Sequence, residues 1–207
     1  MSLNILNILI YIFYNSKYFR KMEKYIYINE KSLSAELCEE LIQLFENSNF
    51  QDGEVVSGHI KEVKNTKDFT IPLDDNPKYN KIVKMLSNEL QKNVKTYLTK
   101  MNVKNTELII PTLKLQRYTK NEGKYIYHND SALNPSKKHI RYINYIWYLN
   151  TVEEGGETEF WGYYNIKPKQ GTLVFFPSTD FFPHCGKVPI SSDKYILNGW
   201  LYKENQI

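Results

Sequence analysis

His128 and Asp130 stand two residues apart, directly after the run Tyr125-Ile126-Tyr127. In extended chain a two-residue step turns both side chains to the same side, so an imidazole and a carboxylate can share one metal ion. A third ligand must then come from a distant part of the chain. His184, in Phe181-Phe182-Pro183-His184, follows an apolar run at 172–176 and can supply it. Two imidazoles and one carboxylate on one face of an ion form the triad that holds Fe(II) and keeps its other positions open. The same residue types also suit Zn(II) in a hydrolase, although the chain offers no obvious paired general base. The plainer reading of a histidine in a tyrosine-rich strand is a hydrogen-bonded structural residue. His59 and His139 have no carboxylate at strand spacing, and both are expected at the surface.

The elements that would position these residues come from a chain of 207 residues that is 42% hydrophobic, 14% aromatic and 24% charged. That much apolar surface supports a packed core and excludes a disordered, collagen-like or mucin-like chain. Seventeen Tyr and ten Phe against nine Gly favour strands over a helical bundle. The net charge of +4 is small and its lysines are spread along the chain, so no concentrated basic stripe argues for nucleic acid. Cys38 and Cys185 lie too far apart in the sequence for a CxxC knuckle or a disulfide framework, and reduced thiols in a reducing, cytoplasmic compartment are the expectation.

Residues 1–14 are apolar except for Ser2, Asn4 and Asn7, and Lys17, Arg20 and Lys21 follow. The run is too short to span a bilayer and lacks the basic start and small-residue cleavage site of a secretory signal. Residues 1–21 are therefore read as an extension that disfavours a membrane role, and 22–207 as a single domain opening at Met22.

Within 22–207, Leu37, Leu41, Leu44 and Phe45 recur at helical steps after Ser34, which predicts a helix over 34–47. Asn76 and Pro77 open a second stripe of Ile82, Val83, Leu86, Leu90, Val94 and Tyr97, and this helix should run to Lys100. Beyond Lys100 the period becomes alternating, with strands expected at 108–118, 140–150, 172–176 and 194–202. In the second of these, Ile140, Tyr142, Asn144, Ile146 and Tyr148 should face one way and Arg141, Ile143, Tyr145, Trp147 and Leu149 the other, as in an inner strand covered on both sides. The expectation is an α+β domain: a double-stranded β-helix, or jelly roll, with N-terminal helices packed on one sheet.

The longer text around the candidate ligands is more specific. Leu115-Gln116-Arg117-Tyr118 is followed by Tyr125-x-x-His128-x-Asp130, by Arg141, and by Tyr148-Leu149-Asn150 leading to Gly155-Gly156-Glu157-Thr158-x-Phe160. Pro168-x-x-Gly171-x-Leu173-x-x-Phe176-Pro177 then leads to His184-x-Gly186-x-x-Pro189 and to Lys194-Tyr195-x-x-x-x-Trp200. Over about 108–202 the chain resembles the prolyl 4-hydroxylase branch of the 2-oxoglutarate- and Fe(II)-dependent dioxygenases.

That resemblance implies His128, Asp130 and His184 as iron ligands. It implies Lys194, ten residues after His184, as the cation for the distal carboxylate of 2-oxoglutarate, with Tyr118 and Thr158 completing that pocket. Tyr125, Arg141 and Trp200 match positions near the bound peptide in such enzymes. The implied activity is hydroxylation of a C–H bond, most simply in peptidyl-proline, with release of succinate and carbon dioxide and with ascorbate as a candidate auxiliary reductant. The partner is then a proline-containing peptide or protein. Two departures stand out: the stretch from Tyr118 to His128 is one residue longer than is common, and Val63-Lys64-Asn65-Thr66-Lys67-Asp68 stands where the family's peptide-covering loop often carries an Arg-Thr-Ser-like signature. The alternatives are the same chemistry on a free amino acid, another side chain or an alkylated base, or a jelly-roll binding module without catalysis.

Overall fold

Side-chain caps start both helices. Ser34 accepts a hydrogen bond from the Leu37 N–H at 3.2 Å and opens α1 (Ala35–Glu46), and Asn76 accepts from the Lys78 N–H at 3.1 Å ahead of Pro77 and α2 (Pro77–Lys100). Each cap satisfies an N–H that the helix itself leaves unpaired. The computed structural model describes residues 21–74, 76–104, 106–110, 112–132 and 138–204. All of the expected extension except Lys21, and most of the polar segment 131–139, lie outside these residues.

In chain order the strands are β1 (Tyr27–Asn29), β2 (Gln51–Asp52), β3 (Lys64–Asn65), β4 (Lys67–Ile71), β5 (Leu113–Tyr118) and β6 (Lys124–His128). They continue with β7 (His139–Tyr148), β8 (Thr158–Phe160), β9 (Tyr164–Ile166), β10 (Leu173–Pro177), β11 (His184–Gly186) and β12 (Lys194–Glu204). They form two antiparallel sheets, one in the order β1-β10-β7-β12-β5-β4-β2 and one in the order β3-β6-β11-β8-β9. This is the jelly roll that the sequence leads one to expect, with α1 and α2 laid on the outer face of the larger sheet.

Two cores follow from the alternation of the strands. Leu41, Phe45, Leu86 and Leu90 of the helices meet Leu115, Tyr145, Trp147, Phe175 and Leu197 of the larger sheet. Between the sheets Tyr118, Ile146, Tyr148, Phe160, Val174, Phe176 and Ile196 form the second cluster. Strand β10 serves both, which is why Leu173-Val174-Phe175-Phe176 is apolar without a break. Among the described residues no helix is long and apolar enough to cross a membrane.

The structure corrects three details. The strand expected from 108 begins at Leu113, and the residues before it give one isolated bridge, Ile109 to Tyr202. His139, expected at the surface beside the exposed His59, is half-buried as the first residue of β7.

The alternation along β7 also fails at its start. Ile143 pairs with Leu201 and Arg141 with Tyr202, so Tyr142 is an extra residue against β12. This bulge reverses the facing of everything before it: Arg141 lines the space between the sheets along with Asn144, while Tyr142 joins Ile143 on the helix side.

Leu86 is fully buried beneath α2. Leu86→Ala should lower unfolding free energy by about 2–5 kcal/mol, as a buried leucine truncation does, read from the urea midpoint. A loss below about 1 kcal/mol would mean that the helix is not seated on the sheet as described.

Candidate active site

β6 and β11 run side by side, and His128 and His184 are direct partners in the ladder. Their rings lie 4.3 Å apart between centroids. Asp130 follows β6 by two residues and brings Oδ2 to 3.5 Å from Nε2 of His184. One ligand atom from each of His128, Asp130 and His184 lies within 4.8 Å of the others. Nδ1 of His128 is 2.8 Å from the Ile126 carbonyl and Nδ1 of His184 is 3.0 Å from the Phe182 carbonyl. Only a protonated Nδ1 can donate to a carbonyl, so in each neutral ring Nε2 keeps its lone pair for a metal. Burial, reinforced by His184, pushes the His128 pKa down to about 4. Its imidazole is therefore neutral and ready to ligate at neutral pH.

The three residues face a cavity of about 360 Å³ between the sheets. At its enclosed end sits Lys194, 1% exposed, whose Nζ donates to the Gly156 carbonyl at 2.9 Å and lies 3.8 Å from the centre of the Tyr118 ring. Among the described residues no carboxylate comes within ion-pair distance of it, and burial pushes its pKa down to about 7. Gly156 presents that carbonyl from a left-handed turn, φ +72°, in the Gly155-Gly156 pair. Thr158 and Tyr118 line the cavity nearby, and the Tyr148 hydroxyl donates to Thr158 Oγ1 at 2.7 Å. Gly186 leaves room for Tyr118: a β-carbon there would stand 2.9 Å from its ring.

Two imidazoles with free Nε2 atoms and one carboxylate suit a divalent ion such as Fe(II). An ammonium with one carbonyl partner suits an anionic co-substrate. Both donor sets thus fit, one Fe(II) and the other 2-oxoglutarate.

The three residues expected on the substrate side also line the cavity. Tyr125 stacks on His128 with centroids 3.6 Å apart. A bulge makes this possible, since His128 pairs with His184 but Tyr125 with Gly186, so that β6 spends one residue more than β11. Arg141 lies over Trp200, 3.7 Å from the ring centre, and its Nη1 is 3.9 Å from Asp130 Oδ1. The structure adds Lys64, Lys114, Gln116, Asn144 and Asn198, which the sequence reading left out. Lys114 and Gln116 precede Tyr118 at two-residue steps in β5, a signal that places all three on one face. Lys64 comes from a two-residue strand with no periodicity to read.

Residues 113–202 match the family model described as the 2OG-Fe(II) oxygenase superfamily. A search of curated proteins found no match by sequence. Among solved structures the chain is similar to the viral collagen prolyl hydroxylase of Paramecium bursaria Chlorella virus-1 in its 2OG complex, at 23% identity and TM-score 0.62, over 86% of this chain and 96% of that one. It is similar to a Pseudomonas putida prolyl-4-hydroxylase at 16% identity and TM-score 0.64, over 85% and 91%. A Trichoplax adhaerens prolyl hydroxylase, solved with a hypoxia inducible factor oxygen degradation domain peptide, gives 18% identity and TM-score 0.66 over 95% and 93%. At these identities the structural likeness establishes the fold, and the family match bears out the 2-oxoglutarate- and Fe(II)-dependent oxygenase part of the resemblance read from the sequence.

The unfolded chain holds the Lys194 proton up to the ordinary lysine value of 10.5, whereas the folded chain releases it near 7. Stability contributed by this group therefore rises with pH across that window and is lowest below it. Lys194→Met should be more stable than wild type at pH 6.5, in urea and without ligands, with an advantage that shrinks toward pH 9. A difference independent of pH would show that the lysine is not buried as described.

Proposed function

We propose that this 2-oxoglutarate- and Fe(II)-dependent oxygenase, its family match spanning residues 113–202, hydroxylates a C–H bond of peptidyl-proline in the manner of prolyl 4-hydroxylases. The observation that carries the reading is the convergence of His128, Asp130, His184 and Lys194 on one cavity. Bound Fe(II), with 2-oxoglutarate and dioxygen, supplies the oxidation, in which 2-oxoglutarate becomes succinate and carbon dioxide and one oxygen atom enters the substrate C–H bond.

The chain's own residues bind, orient and exclude water. His128, Asp130 and His184 would hold the ion from one side and leave its other side to the cavity. Lys194 would take the distal carboxylate of 2-oxoglutarate as a charge-assisted hydrogen bond. Because Tyr148 donates to Thr158 Oγ1, the Thr158 proton remains free to join Lys194 on that carboxylate. Ile146, Phe176 and Ile196 line the intervening wall with apolar surface that excludes water from the reacting centre. Tyr125, Arg141 and Trp200 supply the aromatic and cationic lining on the substrate side, suited to an extended proline-containing chain. Peptide recognition is also supported by the Trichoplax adhaerens neighbour, which was solved with a peptide.

Anaerobic addition of Fe(II) and 2-oxoglutarate should produce a visible charge-transfer band, and folded protein without one would contradict the proposal. His128→Ala should abolish succinate formation in the presence of ascorbate. Lys194→Ala should weaken 2-oxoglutarate binding about 10- to 100-fold, as the loss of a charge-assisted hydrogen bond implies, with a much smaller effect on iron. An equal loss of both would remove Lys194 from its role.

A further inference from the structure

We propose that the open half of the cavity takes a carboxylate of the substrate, so that this enzyme prefers an anionic molecule; the inference rests on reading the site as that of an oxygenase. The first support is the composition of the wall. The inner face of a β-sandwich is normally apolar. Beyond Tyr118 and Ile196 the inner face of the larger sheet instead carries Gln116, Lys114, Asn198 and Asn144. Gln116 and Asn144, each 3% exposed, are already held by Asp68 and Ser178, whereas among the described residues the buried Oδ1 of Asn198 has no hydrogen-bond partner. A wall this polar suits a polar ligand: the Asn198 Oδ1 calls for a donor such as a ligand N–H, and a carboxylate falls to the cations beside it.

The second support is charge. Among the described residues that line the cavity, the cations are Lys64, Lys114, Arg141 and Lys194, against Glu54 and Asp130. A divalent ion and the dianionic co-substrate offset each other and leave this excess in place. The nearby acid, Asp68, is already engaged. It holds Lys64 at 2.7 Å and accepts from Thr66 Oγ1 at 2.7 Å and Gln116 Nε2 at 2.8 Å, but reaches Lys114 only at 3.9 Å. Arg141 has Asp130 at 3.9 Å, and Asp130 belongs to the metal set. Glu54 is exposed at the rim, where its backbone carbonyl, 3.4 Å away, accepts from Lys64 Nζ.

Lys114 and Arg141 share one aromatic surface, with Lys114 Nζ 5.8 Å and the Arg141 guanidinium carbon 3.7 Å from the Trp200 ring centre. Burial foremost, with Lys64 and Arg141 adding to it against Asp68 and Asp130, holds the Lys114 pKa below its ordinary range. A carboxylate seated between Lys114 and Arg141 would offset two partly desolvated cations and gain charge-assisted hydrogen bonds. Such a group comes either from an acidic side chain beside the target residue of a peptide or from the α-carboxylate of a free amino acid.

The test is isothermal titration of the anaerobic holoprotein, carrying Fe(II) and 2-oxoglutarate. The probes are three proline peptides that differ only in the residue flanking proline, Glu, Gln or Lys, together with L-proline and L-prolinamide. The Glu peptide should bind roughly tenfold tighter than the Gln peptide, a difference of one well-placed charge contact, and the Lys peptide most weakly. L-Proline binding well above L-prolinamide would assign the carboxylate to a free amino acid. Equal binding of Glu and Gln peptides, with L-proline no better than its amide, overturns the inference. Lys114→Glu should reverse the order of the Glu and Lys peptides, or, where L-proline is the tighter ligand, abolish its advantage over L-prolinamide, and an unchanged order of whichever pair discriminates would also overturn it. A mass gain of one oxygen in air separates the two readings. Tight binding of the Glu peptide without that gain keeps the carboxylate subsite and removes prolyl hydroxylation, whereas equal binding and equal oxidation of all three peptides does the reverse.

Discussion

Lys194 brings an ammonium into the space between the two sheets with one carbonyl, that of Gly156, as its hydrogen-bond partner. A buried charge without a counter-ion costs several kcal/mol even after relaxation, and here burial shows directly in the depressed pKa. The surrounding structure is arranged around that group. Gly155 and Gly156 adopt left-handed backbone to aim the carbonyl, and Tyr118, the direct ladder partner of Lys194, lays its ring against the cation. Gly186 has no side chain to displace that ring. Such a cost is retained where a ligand offsets it, and a dicarboxylate is a ligand whose charge suits a cavity with both an ammonium and three metal donors on its wall.

Local irregularities in the strands complete the site. Without the extra residue in β6, Tyr125 and His128, three positions apart, would point to opposite faces; with it they stack. Without the extra residue in β7, Arg141 would lie under the helices instead of over Trp200. Regular strands provide the two cores, and the bulges re-aim individual side chains into the space between them. The polar character of the cavity's open half is likewise local. It arises where Lys114, Asn144 and Asn198 replace the apolar residues that continue the same strands inward.

Much of this was legible in the sequence, and for physical reasons. The helices announce themselves by caps and by a stripe at helical spacing, and both begin within a residue of where Ser34 and Asn76 place them. The long inner strand β7 is legible because it is covered on both sides. His128, Asp130, His184, Tyr118, Thr158 and Lys194 do face one cavity, as the resemblance implied. The two- and three-residue strands β1, β2, β3, β8, β9 and β11 were not legible, since so few residues carry no period and exist only through their partners. Lys64 was missed for that reason: in the sequence it is one more lysine, and pairing of β3 with β6 is what buries it. The facing of Arg141 was misread because strict alternation has no means of marking a bulge.

The central claim is that one ion and one dicarboxylate occupy this cavity at once. Anomalous diffraction from crystals loaded anaerobically with Fe(II) and 2-oxoglutarate tests it most directly. The expected map has a single iron peak bounded by Nε2 of His128, Nε2 of His184 and the Asp130 carboxylate, with the distal carboxylate of 2-oxoglutarate against Lys194 Nζ. Iron bound elsewhere, or a co-substrate carboxylate turned away from Lys194, would contradict it.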